Sequence, residues 1–286
     1  YDTMPNAKAV IDLASEQTGL DIPALCFEEN DKLNITEYTQ ICMLAVEAAI
    51  YQAIIDKGIT PDVTAGLSLG EYGALIASGA MTMADAFAVV RKRGIYMQEA
   101  VPTGGAMTAV LGLDPQIIED ICKKTADETN SVVSVANYNC PGQIVITGEK
   151  AAVDAAAAAC SEAGAKRCVP LKVSGPFHSA MLKGAGEKLA DALESVEIHD
   201  IKVPYITNVT ADYVKSPADV KDYLTQQVSS SVRWQQTIER LIADGADEFV
   251  EIGPGRSLSG FMRKINRDVK VVNIDKLEDF EKYVNR

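Results

Sequence analysis

Ser68 stands in Gly66-Leu67-Ser68-Leu69-Gly70, a G-x-S-x-G pattern with an apolar stretch before it and a helical run after it. The chemistry this suggests is nucleophilic. The glycines let the chain turn sharply enough to lift a serine hydroxyl into the open, beside the positive end of the following helix. A hydroxyl is a poor nucleophile until a base takes its proton. The chain has two histidines, His178 and His199. His178 lies in Ser174-Gly175-Pro176-Phe177-His178-Ser179, after an apolar strand and before a helix, and such strand-end loops commonly hold catalytic groups. His199 sits in the charged stretch Glu197-Ile198-His199-Asp200 and reads as a solvated surface residue. Elimination therefore selects His178 as the base.

Arg93 stands out by geometry. At about 100° per residue, Ala86, Val89, Val90, Arg93 and Met97 fall on one helical stripe, while Arg91 and Lys92 point elsewhere. A guanidinium at the centre of an apolar face needs an anion, because leaving it buried and unpaired costs several kcal/mol. Two partners are open. One is a protein carboxylate in a structural salt bridge. The other is a substrate carboxylate held by two parallel bonds, if this helix, the next after the nucleophile's own, reaches the site.

The elements that must position these residues alternate between helix and strand, which predicts an α/β fold with a largely parallel sheet. Ala7, Val10, Ile11 and Ala14 recur at helical spacing up to Gly19, and a longer helix is expected from Thr36 as N-cap to Gly58, with Ile41, Ala45, Ala48, Ala49 and Gln52 on one side. A strand at 63–67, a tight turn and a helix at 69–78 then carry Ser68. Thr82 with Asp85 resembles a capping box opening the helix that bears Arg93. Strand-like stretches at 106–113, 132–136, 144–147 and 167–173, with helical runs at 115–124 and 151–163, give the order βαββαβ, the ferredoxin-like arrangement. Residues 104–172 are therefore expected to form a small subdomain inserted in a large α/β domain of residues 1–103 and 173–286. A further strand is expected at 203–207, and the tail after Lys270 is weakly patterned.

Composition narrows the function classes. At 286 residues, with 47% hydrophobic and 23% charged residues, the chain has ordinary globular proportions. Its net charge of −13 speaks against a nucleic-acid partner or an anionic membrane surface, both of which attract basic stripes. The six cysteines show no C-x-x-C spacing and read as reduced thiols, and neither histidine has a ligand-spaced partner for zinc. No apolar run is expected to reach transmembrane length and no signal peptide is evident, which makes a cytoplasmic enzyme the expectation.

The chain resembles a family, the malonyl-CoA:acyl carrier protein transacylases and the related acyltransferase domains of fatty-acid and polyketide synthases. The resemblance is carried by Gly66-Leu67-Ser68-Leu69-Gly70-Glu71-Tyr72, Arg93-Gly94-Ile95-Tyr96-Met97-Gln98, Asn137-Tyr138-Asn139-Cys140-Pro141-Gly142-Gln143, Gly175-Pro176-Phe177-His178-Ser179 and Glu251-Ile252-Gly253-Pro254-Gly255, in the family's order. It implies a hydrolase-like α/β domain with an inserted ferredoxin-like subdomain and a Ser68–His178 dyad in the cleft between them. It also implies that a main-chain carbonyl, matched here by Gln227, steadies the histidine, that Arg93 grips the malonyl carboxylate, and that the Leu69 N–H is one oxyanion donor. The expected reaction is ping-pong transfer of malonyl from malonyl-CoA to the phosphopantetheine thiol of acyl carrier protein, without metal or separate cofactor. Met97 would floor the acyl pocket, and Phe177 would narrow it against a methyl branch.

Two departures from the family are visible. Leu67 replaces the usual histidine before the nucleophile, and the chain opens at Tyr1 without the family's apolar strand and Gly-Gln-Gly loop, so an N-terminal piece is expected to be missing from this sequence. Two other readings stand beside the transferase: a serine esterase of the α/β-hydrolase class, and a non-catalytic module that binds carrier protein or coenzyme A. Carrier proteins are usually acidic, so docking would need a local basic rim, for which Lys166, Arg167, Lys172 and Lys183 are the candidates.

Overall fold

A computed structural model describes residues 1–173 and 175–286, so Ser174 of the His178 loop lies outside the described residues. In chain order the strands are β1 (Thr64–Ala65), β2 (Gly105–Leu111), β3 (Val133–Cys140), β4 (Gln143–Glu149), β5 (Arg167–Pro170), β6 (Tyr205–Ile206), β7 (Glu248–Ile252) and β8 (Lys270–Ile274). β1 pairs in parallel with β6, Thr64 opposite Tyr205 and Ala65 opposite Ile206, and β7 pairs in parallel with β8. Around them, helices Pro5–Thr18, Thr36–Ile55, Met83–Ala100 and Lys183–Leu193 bury one apolar core that includes Ile11, Ile41, Leu44, Val90 and Leu189. The fold is α/β, a hydrolase-like domain of parallel strands carrying a ferredoxin-like insertion.

The insertion is an antiparallel sheet in the order β3-β4-β2-β5, and helices Pro115–Thr129 and Lys150–Glu162 cover a second core of Val110, Ile118, Val135, Ile146 and Val153. Strand β3 is also stitched to the larger body. Val232 donates to the Ala136 carbonyl at 2.8 Å, and the Tyr138 N–H donates to the Val232 carbonyl at 2.9 Å. That seam brings one face of the small sheet to the cleft.

Several elements differ from the sequence expectation. β1 and β6 are two residues each, shorter than 63–67 and 203–207, because the ladder gives way to a side chain: the Gly66 carbonyl accepts from Asn208 Nδ2 at 2.6 Å. Thr36 is the first residue of its helix rather than its cap, with Ile35 at the N-cap, and Gln52 is only partly buried on that helix. The Thr36–Ile55 helix is also long and apolar enough to cross a membrane, contrary to expectation. Its apolarity is accounted for by its place between helices Pro5–Thr18 and Met83–Ala100, where nine of its residues are buried. Beyond Lys270 the chain is ordered as β8 and helix Leu277–Val284, whose Phe280 and Tyr283 pack on Ile54 and Ile274.

Two glycines are dictated by close approach. A Cβ on Gly66 would lie 1.9 Å from the Gly70 carbonyl oxygen, so no other residue fits at the start of the turn that carries Ser68. A Cβ on Gly94 would lie 2.9 Å from the Glu37 Cα, which means that this glycine sets how closely the Arg93 helix crosses the Thr36–Ile55 helix. Gly94→Ala should push the two helices apart and destabilise the protein by about 1–3 kcal/mol, the usual cost of overpacking. Chemical denaturation checks this; a midpoint equal to wild type would show that the crossing can yield.

Candidate active site

The turn after β1 puts Ser68 in the left-handed region, φ 53°, a conformation that costs a Cβ-bearing residue about 1–2 kcal/mol. From there its Oγ lies 2.8 Å from His178 Nε2. His178 is also left-handed, φ 60°, and its Nδ1 lies 2.9 Å from the main-chain carbonyl oxygen of Gln227. A carbonyl only accepts, so the ring proton is on Nδ1 and the bare Nε2 faces the serine hydroxyl. Burial, reinforced by the positive charge of Arg93, lowers the His178 pKa to about 4. At neutral pH the imidazole is therefore uncharged and able to take the Ser68 proton.

Arg93 is 1% exposed on the buried face of helix Met83–Ala100, together with Ala86, Val89, Val90 and Met97. Its guanidinium donates to Gln40 Oε1, to Ser68 Oγ at 3.1 Å and to Gln227 Oε1 at 2.9 Å, and it lies 5.6 Å from the centre of the Tyr72 ring. All three acceptors are neutral. Among the described residues no carboxylate forms an ion pair with Arg93, and the closest acidic relay is indirect: Gln227 Nε2 donates to the buried Glu71 Oε2 at 2.8 Å. Burial pushes the Glu71 carboxyl above its usual range, against the hydrogen bonds that favour its charged form. Arg91, by contrast, points outward and pairs with Glu37 at 2.9 Å.

Met97 is buried and accepts a weak bond from Gln40 Nε2 at 3.6 Å, while Phe177 packs on Met107, Ala136 and Val145 at the seam with the small sheet. Both line a cavity of about 1680 Å³ that also takes in Ser68, Arg93, Asn137 and His178. The cavity continues into the space between β1 and β7, against Val63, Ala65, Trp234 and Phe249. The Leu69 N–H donates to no acceptor among the described residues, and it opens the helix Gly70–Ser78 next to Ser68. His199 stands apart from the site, 3.6 Å from Glu197 and partly exposed. Lys166, Arg167, Lys172 and Lys183 are all exposed, but of the four only Lys172 lines the cavity, flanked by the exposed Leu171 and Val173. Among the described residues, no three His, Cys, Asp or Glu side chains converge as a metal site requires.

Sequence reasoning did not single out Gln40, Glu71 or Asn208 as working parts of this arrangement. Gln40 had a signal, a polar side chain among Ile41, Leu44 and Ala45 on a buried helix. Glu71 stands in the Gly66–Tyr72 stretch without a role of its own attached, and Asn208 had no signal, because their partners lie far away in the chain.

Residues 1–274 match the family described as acyl transferase domain. Over 283 residues, 98% of this chain and 89% of the relative, the chain is 45% identical to the malonyl CoA-acyl carrier protein transacylase of Bacillus subtilis (strain 168). It is 41% identical over 281 residues to the transacylase of the same name from Staphylococcus aureus (strain MW2), covering 98% of this chain and 90% of that one. Among solved structures, MCAT from Streptococcus pneumoniae superposes with a TM-score of 0.95 at 45% identity, covering 100% of this chain and 93% of that chain. PlMCAT, a malonyl-transacylase solved in complex with the type II PKS acyl-carrier protein AntF, also gives a TM-score of 0.95, at 38% identity and covering 99% and 92%.

The lowered pKa of His178 sets a pH profile. Phosphonylation of Ser68 by a fluorophosphonate should keep a constant rate from neutral pH down to about 5 and fall as pH drops through about 4, where Nε2 takes a proton. A fall centred near the ordinary histidine value would mean that another group governs Ser68. His178→Ala should slow the same reaction by roughly 10²–10⁴.

Proposed function

We propose a reaction for this chain, which belongs to the acyl transferase domain family: it moves a malonyl group from malonyl-CoA to the phosphopantetheine thiol of acyl carrier protein through a malonyl ester on Ser68. The observation that carries this reading is the buried Arg93 guanidinium, whose hydrogen-bond partners among the described residues are all neutral and which lies 3.1 Å from the nucleophilic oxygen. A free carboxylate on the acyl group would make the direct ion pair that no described carboxylate makes with Arg93. The transacylases of Bacillus subtilis and Staphylococcus aureus, and the carrier-protein complex of PlMCAT, support both substrates.

In the first half-reaction Ser68 Oγ attacks the thioester carbonyl while His178 Nε2 takes its proton, and Gln227, through its carbonyl, holds the ring in the required tautomer. The tetrahedral oxyanion forms beside the Leu69 N–H, which has no acceptor among the described residues. The C–S bond then breaks and coenzyme A leaves with the proton from Nε2. In the second half-reaction the carrier-protein thiol gives its proton to the same Nε2, attacks the ester carbonyl, and Ser68 departs as the alcohol. Met97 and Phe177 shape the acyl pocket, and Phe177 disfavours a methyl branch beside the base. No separate cofactor is needed, since coenzyme A and phosphopantetheine enter as parts of the substrates.

The seam at Val232 supports a division into a large domain of residues 1–103 and 173–286 and a small one of residues 104–172, with the acyl group bound between them. Six free cysteines suit a cytoplasmic location. Carrier-protein docking centres on Lys172, an exposed cation that lines the cavity, with the exposed Lys166, Arg167 and Lys183 as further candidates.

Intact-mass analysis after mixing with malonyl-CoA should show a malonyl adduct that Ser68→Ala abolishes; an adduct mapped to another residue would end the assignment. Arg93→Ala should cut malonyl loading by about 3 kcal/mol, roughly a hundredfold, and loading in competition should then favour acetyl-CoA over malonyl-CoA. Equal losses for both donors would show that the guanidinium serves the fold and not the carboxylate. Lys172→Glu should raise the carrier-protein KM, most strongly at low salt, and leave loading from malonyl-CoA intact. If both half-reactions weakened together, Lys172 would be part of the cleft structure instead.

A further inference from the structure

The left-handed Ser68 is held at both poles of its backbone by side-chain amides. Asn208 Oδ1 accepts from the Ser68 N–H at 2.5 Å, and Gln227 Nε2 donates to the Ser68 carbonyl at 2.9 Å. Asn208 Nδ2 also donates to the Gly66 carbonyl at 2.6 Å, so that a single amide spans the turn on both sides of Leu67. The two amide residues meet at Glu71, whose Oε2 accepts the Asn208 main-chain N–H at 3.1 Å and Gln227 Nε2 at 2.8 Å. The sheet explains why Asn208 stands there. β1 and β6 pair Ala65 with Ile206, so the continued register would set Leu67 opposite Asn208. The chain has already turned away into the Ser68 bend, and the amide side chain makes the bonds a ladder would have made. Asn208 is 1% exposed and Glu71 is fully buried, so water does not compete for these groups.

We infer that Asn208, anchored on Glu71, is a positioning residue for the transfer reaction: it holds the Ser68 backbone in the conformation that aims Oγ at His178 Nε2. Asn208 makes no hydrogen bond to His178 or to Arg93, so its part is in the rate of the Ser68 step and not in the grip on the acyl carboxylate. The inference takes its substrate from the malonyl reading.

The test is pre-steady-state loading of the full chain by malonyl-CoA, followed by intact mass, for wild type, Asn208→Ala and Asn208→Ser. The expected result is a fall of about a hundredfold in the acylation rate constant, the scale of a misplaced nucleophile, with the KM for malonyl-CoA within about twofold. A folded variant that keeps the wild-type rate constant, or one in which KM rises as far as the rate constant falls, overturns the inference. So does failure of both variants to fold, which would assign Asn208 to the fold alone. Phosphonylation of Ser68 by a fluorophosphonate is run beside it. There Oγ bonds to phosphorus, fluoride leaves and the hydroxyl proton passes to His178, and the variants should slow in the same proportion. Because that reagent carries no acyl group, a wild type that is phosphonylated but not malonylated counts against the malonyl reading and leaves the positioning inference standing.

Discussion

A guanidinium buried without a directly paired carboxylate among the described residues is the constraint around which this site is arranged. Arg93 is as deeply buried as the aliphatic side chains of its own helix, yet it has only amide and hydroxyl oxygens to bond. Removing such a charge from water is tolerable only when its protons are taken up and opposite charge is near. Gln227 provides the link, with Oε1 accepting from Arg93 and Nε2 donating to Glu71, so that cation and carboxylate are coupled through one polarised amide. Its main chain has a second part. Gln227 is the last residue of helix Val220–Gln227, where carbonyls lack intrahelical donors, and it is this carbonyl that accepts the hydrogen bond from the His178 Nδ1–H.

The same cation shapes both members of the dyad, in opposite senses. For His178 a neighbouring positive charge adds to burial in disfavouring the imidazolium, which keeps Nε2 bare. For Ser68, a donor on Oγ stabilises the negative charge that grows as the proton leaves. The first keeps the base free to accept but makes its imidazolium more costly, and the second offsets part of that cost by stabilising the oxygen that loses the proton. The anion that an acyl carboxylate brings to Arg93 would offset that cost, which ties the readiness of the base to the identity of the bound acyl group.

How much of this was legible in the sequence depends on the range of the interaction. The Ser68 turn is local, and Gly66, Ser68 and Gly70 announce it. The burial of Arg93 is local too, because a single helix face shows it. Its partners are not: Gln40 and Gln227 stand 53 and 134 residues away, and amides carry no spacing signal that would have joined them. β1 and β6 are shorter than the sequence pattern predicts for a related reason. Alternation and apolarity report that a stretch is extended and buried, but they cannot report that Asn208 takes over the hydrogen bonding at Gly66. The apolarity of helix Thr36–Ile55 was legible, and it is the packing of that helix between two others that decides its meaning.

Ser68 and His178 both occupy the left-handed region, and neither is a glycine. Two such residues in contact store about 2–4 kcal/mol that the surrounding structure must override. What overrides it is a set of buried groups with no solvent alternative: Asn208 on the Ser68 N–H, Gln227 on the Ser68 carbonyl and on the His178 ring, and Glu71 beneath both amides. Relaxing either dihedral would strand at least one of these groups without a partner, at a cost comparable to the strain released. The Ser68–His178 arrangement is therefore held without substrate, and on the malonyl reading the acyl carboxylate would bring the negative charge beside Arg93.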